Sequence, residues 1–175
     1  MHRYAPQRHV CRSCRTGSSC PGAGKNGERA IPFAEFHRVP GDTPQLDNNL
    51  QPYEIITAID LPAQGFAEHY TYLKLRDRKS YASALVSVAA ALDVTGDAIR
   101  DAHLALGGVA PKPWRDLEAE ALLQGKNATQ ENFQHVADTI VRTAKGYGHN
   151  DFKIELAKRA IVRALTQAAQ EPQQS

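Results

Sequence analysis

Cysteine is missing from residue 21 onward, so no disulfide can staple the bulk of the chain. The chain holds one methionine and one tryptophan, and aromatic residues make up only 7%. No apolar run approaches the ~18 residues of a membrane span. The longest weakly polar run, Ala82 to Leu92, is broken by serines and rich in alanine. The N-terminus has basic residues but no apolar stretch behind them, so it does not read as a secretory signal. Excess charge of either sign is also lacking: 21 Lys and Arg against 19 Asp and Glu give +2. That balance argues against a nucleic-acid partner for the whole chain. These absences make a soluble, cytoplasmic protein without disulfides the default expectation.

The residues that are present are unevenly spread. Residues 1–27 hold five bases (Arg3, Arg8, Arg12, Arg15, Lys25), no acid and all three cysteines. The remainder carries 16 bases against 19 acids. The first stretch has no helical or strand period and reads as a disordered tail. Beyond it, 42% hydrophobic residues in a 175-residue chain suffice for a real core.

A short strand fits Arg29–Ile31, stopped by Pro32. Residues 38–52 are turn and linker chemistry, with Pro40, Gly41, Pro44 and Pro52. Four strand candidates come next. Glu54–Leu61 alternates Ile55, Thr57, Ile59 and Leu61. Phe66–Arg76 puts Tyr70, Tyr72 and Lys74 on one face and Leu73 and Leu75 on the other. Tyr81–Leu92 and Ala98–Leu106 flank a Gly96-Asp97 turn and read as a hairpin, although alanine lets a helix compete in the first. From Pro111 the period becomes helical. One helix is expected from Pro113 to Leu123, stopped by Gly125. A second is capped by Asn127 or Thr129 and stopped by Gly146. A third, capped by Asn150 or Asp151, frays into glutamines. Strands first and helices after predict α+β: an antiparallel sheet of three to four strands with three helices packed on one side.

Chemical motifs are sparse. Cys11-x-x-Cys14, with Cys20 and His9, offers four zinc-type donors, but they lack the spacer and mini-core of a zinc knuckle. Gly22-Ala-Gly24-Lys-Asn-Gly27 matches the dinucleotide fingerprint in letters, yet a polar tail precedes it and Pro32 soon blocks a helix. The seven histidines are scattered and pair with no nucleophile motif. Asn127-Ala-Thr129 would be a glycosylation acceptor only in a secreted protein. Arg76, Arg78 and Lys79 beside Tyr81 read, on spacing alone, as a solvated hairpin corner.

Four blocks change this reading: KNGERAIPFAEFHRVPGDTP (25–44), YLKLRDRKSYASALVSVAAAL (72–92), ALGGVAPKPWR (105–115) and GHNDFKIELAKRAIVRAL (148–165). They resemble the FAD-binding medium subunit of the molybdenum hydroxylases, the family of xanthine dehydrogenase, carbon monoxide dehydrogenase and the aldehyde oxidoreductases. In that family the N-terminal half holds the FAD pyrophosphate on glycine-rich loops and the C-terminal α+β half closes over the flavin. The resemblance implies a remnant of the first half and a linker at 25–50, the C-terminal domain at 51–168 and a short tail at 169–175. It implies that Lys74 brings a positive charge or donor to FAD and that Tyr81 lies near the isoalloxazine ring. It further implies a large subunit with the molybdenum cofactor and a small subunit with iron–sulfur clusters as partners. Neither nucleic acid nor membrane is expected as a partner, and a periplasmic location would come only through partner export. Electrons would run from molybdenum through the clusters to FAD, with no activity expected of this chain alone.

The tail departs from the family. Upstream of the GER-I-P-F segment, aldehyde oxidoreductase-like members carry C-I-A-T-H-P-S-D-M, where residues 1–10 here read M-H-R-Y-A-P-Q-R-H-V. A one-base shift of reading frame converts one into the other. Residues 1 to about 24 are therefore expected to be an out-of-frame translation, with Cys11, Cys14 and Cys20 accidental. Two alternatives stand beside the flavoprotein reading: a non-catalytic fragment that at most docks on partner subunits, and a zinc- or nucleic-acid-binding module using the tail.

Overall fold

The computed structural model describes residues 19–60, 66 and 68–170. Two compact units emerge, one comprising Met1–Gly65 with Ala110–Lys112, the other Phe66–Val109 with Pro113–Ser175. Ile55–Ile56 pairs within the first of these units. No helix among the described residues is long and apolar enough to cross a membrane.

The first unit is built on β1 (Ser19–Gly24) and β2 (Gly27–Pro32), an antiparallel hairpin. Gly27 takes φ +100 at its turn, a conformation that suits glycine. The short helix α1 (Phe33–Phe36) follows Pro32, and β3 (Ile55–Ile56) adds to the other edge of β1. Cys20, Ile31, Phe33 and Phe36 form a small core with Leu50 against it. These facts correct the expected tail. Residues 19–24 are the central strand of a sheet, and Cys20 is 3% exposed. Residues 1–18, with Cys11 and Cys14, lie outside the described residues.

Arg29 staples this unit. Its Nε and Nη2 donate to the two carboxylate oxygens of Glu54 at 2.6 and 2.8 Å, and Nη2 also donates to the Asn49 carbonyl at 2.8 Å. Glu54 accepts a further bond from the Gln51 amide at 2.7 Å. The Arg29 bond, then the amide, hold the Glu54 carboxyl down at about 2. Of the predicted strand Glu54–Leu61, the described residues form only β3 and an isolated bridge at Asp60, and Leu61 lies outside them. Ile55 and Ile59 are 70% and 53% exposed, so their alternation has no face to bury.

The second unit is the expected sheet with helices. Strands β4 (Tyr70–Leu75), β5 (Val86–Thr95) and β6 (Ala98–Gly107) pair antiparallel in that order. The ladder from both neighbours makes the alanine-rich stretch a strand, overriding its helical propensity. Strand β5 begins at Val86, leaving Tyr81–Leu85 in a loop, and runs on to Thr95 with a bulge at Asp93/Val94. Val86, Val88, Ala90 and Leu92 share one face with Leu104 and Leu106, and Leu73 and Leu75 pack against them.

Three helices cover that face. Helix α2 (Leu117–Ala121) is shorter than expected, because Trp114 exchanges backbone hydrogen bonds with Leu106 at 2.8 and 2.9 Å and stays extended. Asp116 caps α2 by accepting from the Ala119 amide at 3.1 Å. The carboxylate of buried Glu120 accepts from the Leu104 amide at 2.8 Å and from Arg115 at 2.7 Å through each oxygen. Helix α3 (Gln130–Val141) starts from Thr129 and stops short of Gly146. Helix α4 (Phe152–Gln170) buries Ala157, Ala160, Ile161, Ala164, Leu165 and Ala168. Its small residues let it lie close to β4 and β5, with α3 packed beside it. The Ala168 carbonyl sits 3.0 Å from His69 Nδ1, tying the helix end to the entry of β4. Helix therefore continues to Gln170, past the expected limit at 168, and residues 171–175 lie outside the described ones.

Candidate cofactor-facing site

Strand alternation sends Tyr70, Tyr72 and Lys74 to the sheet face away from the helices. Register then completes a row across all three strands: Lys74 opposite Ser87, and Ser87 opposite Gly107. Lys74 is half-buried, and its ammonium is neither hydrogen-bonded nor ion-paired to any described residue. Ser87 is fully buried, and its hydroxyl finds no partner among the described residues. Leaving such a group unpaired costs about 1–3 kcal/mol.

Gly107 is required beside that hydroxyl, since a Cβ there would lie 2.7 Å from Ser87 Oγ. Gly108 holds φ +79, and a Cβ on it would lie 2.9 Å from the Leu85 carbonyl. Lys153, one residue into α4, donates to the Gly108 carbonyl at 3.2 Å. The loop from Arg76 to Leu85 and the Gly107-Gly108 pair thus meet at one end of the sheet.

Tyr81 stands in that loop, 97% exposed and with φ +49. A bulky residue in this left-handed region costs about 1–3 kcal/mol, and such outliers cluster where a side chain contacts a ligand. Arg78 Nη2 donates to the Tyr81 carbonyl. No contact joins Tyr81 to Lys74 among the described residues.

The sequence had singled out Lys74 and Tyr81 through the resemblance, and it missed Ser87, Gly107, Gly108 and Lys153. The available signal was the Gly-Gly doublet in ALGGVAP, where two adjacent glycines at a strand end mark a close approach.

These residues fit one end of a flavin nucleotide. An unpaired ammonium, an exposed ring and side chains too small to obstruct the sheet end suit a flat, polar-edged ring. Among the described residues the glycine-rich segment does not provide for the pyrophosphate end. Gly22 to Gly27 turns β1 into β2 and opens no helix, so it cannot bring a helix N-terminus to a phosphate. Among the described residues no three His, Cys, Asp or Glu are grouped to hold a metal ion.

An antiparallel sheet with helices on one face and a lysine–serine–glycine row on the other defines an α+β domain. The chain belongs to the CO dehydrogenase flavoprotein C-terminal domain family, whose profile matches residues 70–168. It is 42% identical over 140 residues to the aldehyde oxidoreductase FAD-binding subunit PaoB of Escherichia coli K12, covering 80% of this chain and 41% of that protein. It is 32% identical over 116 residues to the glyceraldehyde dehydrogenase medium chain of Sulfolobus acidocaldarius, covering 66% and 38%. A solved structure of carbon monoxide dehydrogenase from Hydrogenophaga pseudoflava, which lacks the Mo-pyranopterin moiety of the molybdenum cofactor, matches with a TM-score of 0.78 at 29% identity. That match covers 91% of this chain and 55% of the solved one. The chain thus spans about 40% of the length of the first two relatives.

Proposed function

We propose that this chain supplies the flavin-facing second half of the FAD subunit in a molybdenum-containing oxidoreductase of the aldehyde or xanthine dehydrogenase type. The observation that carries the reading is the Lys74–Ser87–Gly107 row, with strained, exposed Tyr81 in the loop from β4 to β5, in a chain whose relatives include an FAD-binding subunit. FAD, when bound, supplies the electron-transfer chemistry. The Lys74 ammonium would hold a polar edge of the flavin ring, and the Tyr81 ring would lie near its face. The Gly107-Gly108 backbone lets Ser87 and the Ala84–Leu85 carbonyls pack closely against that end of the sheet. The molybdenum cofactor and iron–sulfur clusters would belong to a large and a small partner subunit.

The zinc reading loses support from Cys20, which packs with Ile31, Phe33 and Phe36 instead of standing free as a ligand. The reading as a subunit-docking fragment draws support from exposed Ile55 and Ile59. We also propose that residues 1 to about 24 arise from a shifted reading frame, a reading that the pairing of Ser19–Gly24 in β1 counts against. The coding sequence tests this: a one-base change that restores the family's segment supports it, and an intact frame contradicts it.

The flavin reading is tested by supplying the upstream half of the E. coli relative in trans, together with FAD. The expected result is a yellow complex with stoichiometric flavin that Lys74→Ala or Tyr81→Ala weakens. A complex whose flavin content and affinity ignore both substitutions contradicts the assignment.

A further inference from the structure

The loop that carries Tyr81 is short, exposed and basic, and one internal contact organises it. Arg78 reaches forward three residues and donates from Nη2 to the Tyr81 carbonyl. That carbonyl belongs to a residue held at φ +49 with 97% of its surface free, so packing of the tyrosine ring does not hold the conformation in place. The carbonyl orientation depends on the backbone angles of Tyr81, and a donor fixed on it selects among them. A guanidinium suits this task because it is planar, always charged and rich in donors. The neighbouring Arg76 and Lys79 are exposed too, yet the bond to Tyr81 comes from Arg78.

We infer that Arg78 is a positioning residue: it clamps the 78–81 turn so that Tyr81 is held left-handed and its ring is presented to the flavin. This rests on the proposed flavin role of Tyr81. Arg78 itself need not touch the cofactor. It acts on the turn, and its effect must pass through the tyrosine.

Lumiflavin is a suitable probe, since it carries the ring without phosphates and reports ring contact by fluorescence quenching. The initial slope of quenching is measured while the full chain is titrated into dilute lumiflavin, for the unmodified protein, Tyr81→Ala, Arg78→Gln, Arg78→Lys and the Arg78→Gln/Tyr81→Ala double variant. The slope is expected to fall about threefold or more in Arg78→Gln, and at least half should be kept in Arg78→Lys, which retains a charged donor. In the Tyr81→Ala background Arg78→Gln should add nothing, because the two residues act as one unit. Circular dichroism of each variant should match the parent, as the loop is exposed. Quenching that depends on Tyr81 but ignores Arg78→Gln overturns the clamp alone. An additive loss in the double variant also overturns it, by showing direct contact between Arg78 and the probe. Quenching that Tyr81→Ala leaves unchanged, or no quenching at all, overturns the flavin role of Tyr81 and the clamp with it.

Discussion

Individual residues are under the tightest constraint where register brings side chains together. Gly107 is the clearest case. Alanine there would place a methyl 2.7 Å from Ser87 Oγ, inside any normal contact. Overpacking of this kind costs about 1–3 kcal/mol. Gly107→Ala should lose that amount in urea unfolding monitored by the single tryptophan, Trp114, which lies in the second unit. Ser87→Ala should restore most of it by removing both the clash and the unpaired hydroxyl. An unchanged midpoint for Gly107→Ala would mean that the two strands lie farther apart. Glu120 gives a larger effect. Its carboxylate is buried and satisfied by Arg115 and the Leu104 amide, so Glu120→Ala takes a bidentate partner from a part-buried guanidinium and the acceptor from the Leu104 amide at once. Loss of one partner of a buried pair costs about 3–5 kcal/mol. The same unfolding measurement checks it, and a loss below about 1 kcal/mol, within the range of ordinary substitutions, would contradict the buried pair.

Among the elements, the sheet-and-helix unit was legible in the sequence because its patterns and its burial agree. Leu73 and Leu75 on one face of β4, the Gly96-Asp97 turn and the apolar stripes of α3 and α4 all found the partners their spacing required. Residues 54–61 alternate equally well, yet their isoleucines are exposed, and among the described ones only Ile55, Ile56 and the isolated bridge residue Asp60 pair. Alternation says which side chains share a face, and not whether anything covers that face. The Pro113–Leu123 helix failed at its start because Trp114 bonds to Leu106, a tertiary contact with no local signature. Lys74 was reachable by resemblance, but Ser87 and Gly107 became its neighbours only through a strand register that joins residues far apart in sequence.

The first unit's sheet carries a pH signature of its own. Glu54 has its carboxyl lowered from 4.5 to about 2 by Arg29 and the Gln51 amide. A folded-state value below the unfolded one stabilises above the unfolded value and is lost as pH falls through the folded one. Protection of the β1 and β2 amides against hydrogen exchange should therefore decline between pH about 4.5 and about 2, after correction for intrinsic exchange. Glu54→Gln should flatten that decline, and an equally steep fall in the variant would assign it to other groups.

At the scale of the whole molecule, the two units should respond differently to the loss of β1. Deleting residues 1–24 removes the central strand and Cys20 from the first unit's core, so the β2 amides should lose their exchange protection. Among the described residues the core of the second unit uses none of residues 19–24, and it should keep its tryptophan-detected midpoint. A shifted second-unit midpoint would contradict that independence.

The cofactor arithmetic also belongs to this scale. In the proposed role, stacking on Tyr81 would contribute about 1–3 kcal/mol by analogy with base stacking, and a charge-assisted bond from Lys74 about 1.5–3 kcal/mol. Lost translational and rotational freedom costs about 4–15 kcal/mol. The surplus falls short of the roughly −4.1 kcal/mol of a millimolar complex.

The direct measurement is a side-by-side determination of the affinities of FAD and lumiflavin for the isolated chain. A chain that meets only the flavin ring gains nothing from the pyrophosphate and adenosine. The expected result is a colourless preparation, with both affinities no tighter than about millimolar and the two equal within about twofold. A yellow protein with stoichiometric FAD, or FAD held about tenfold more tightly than lumiflavin, would contradict the ring-only role by revealing a phosphate site on this chain.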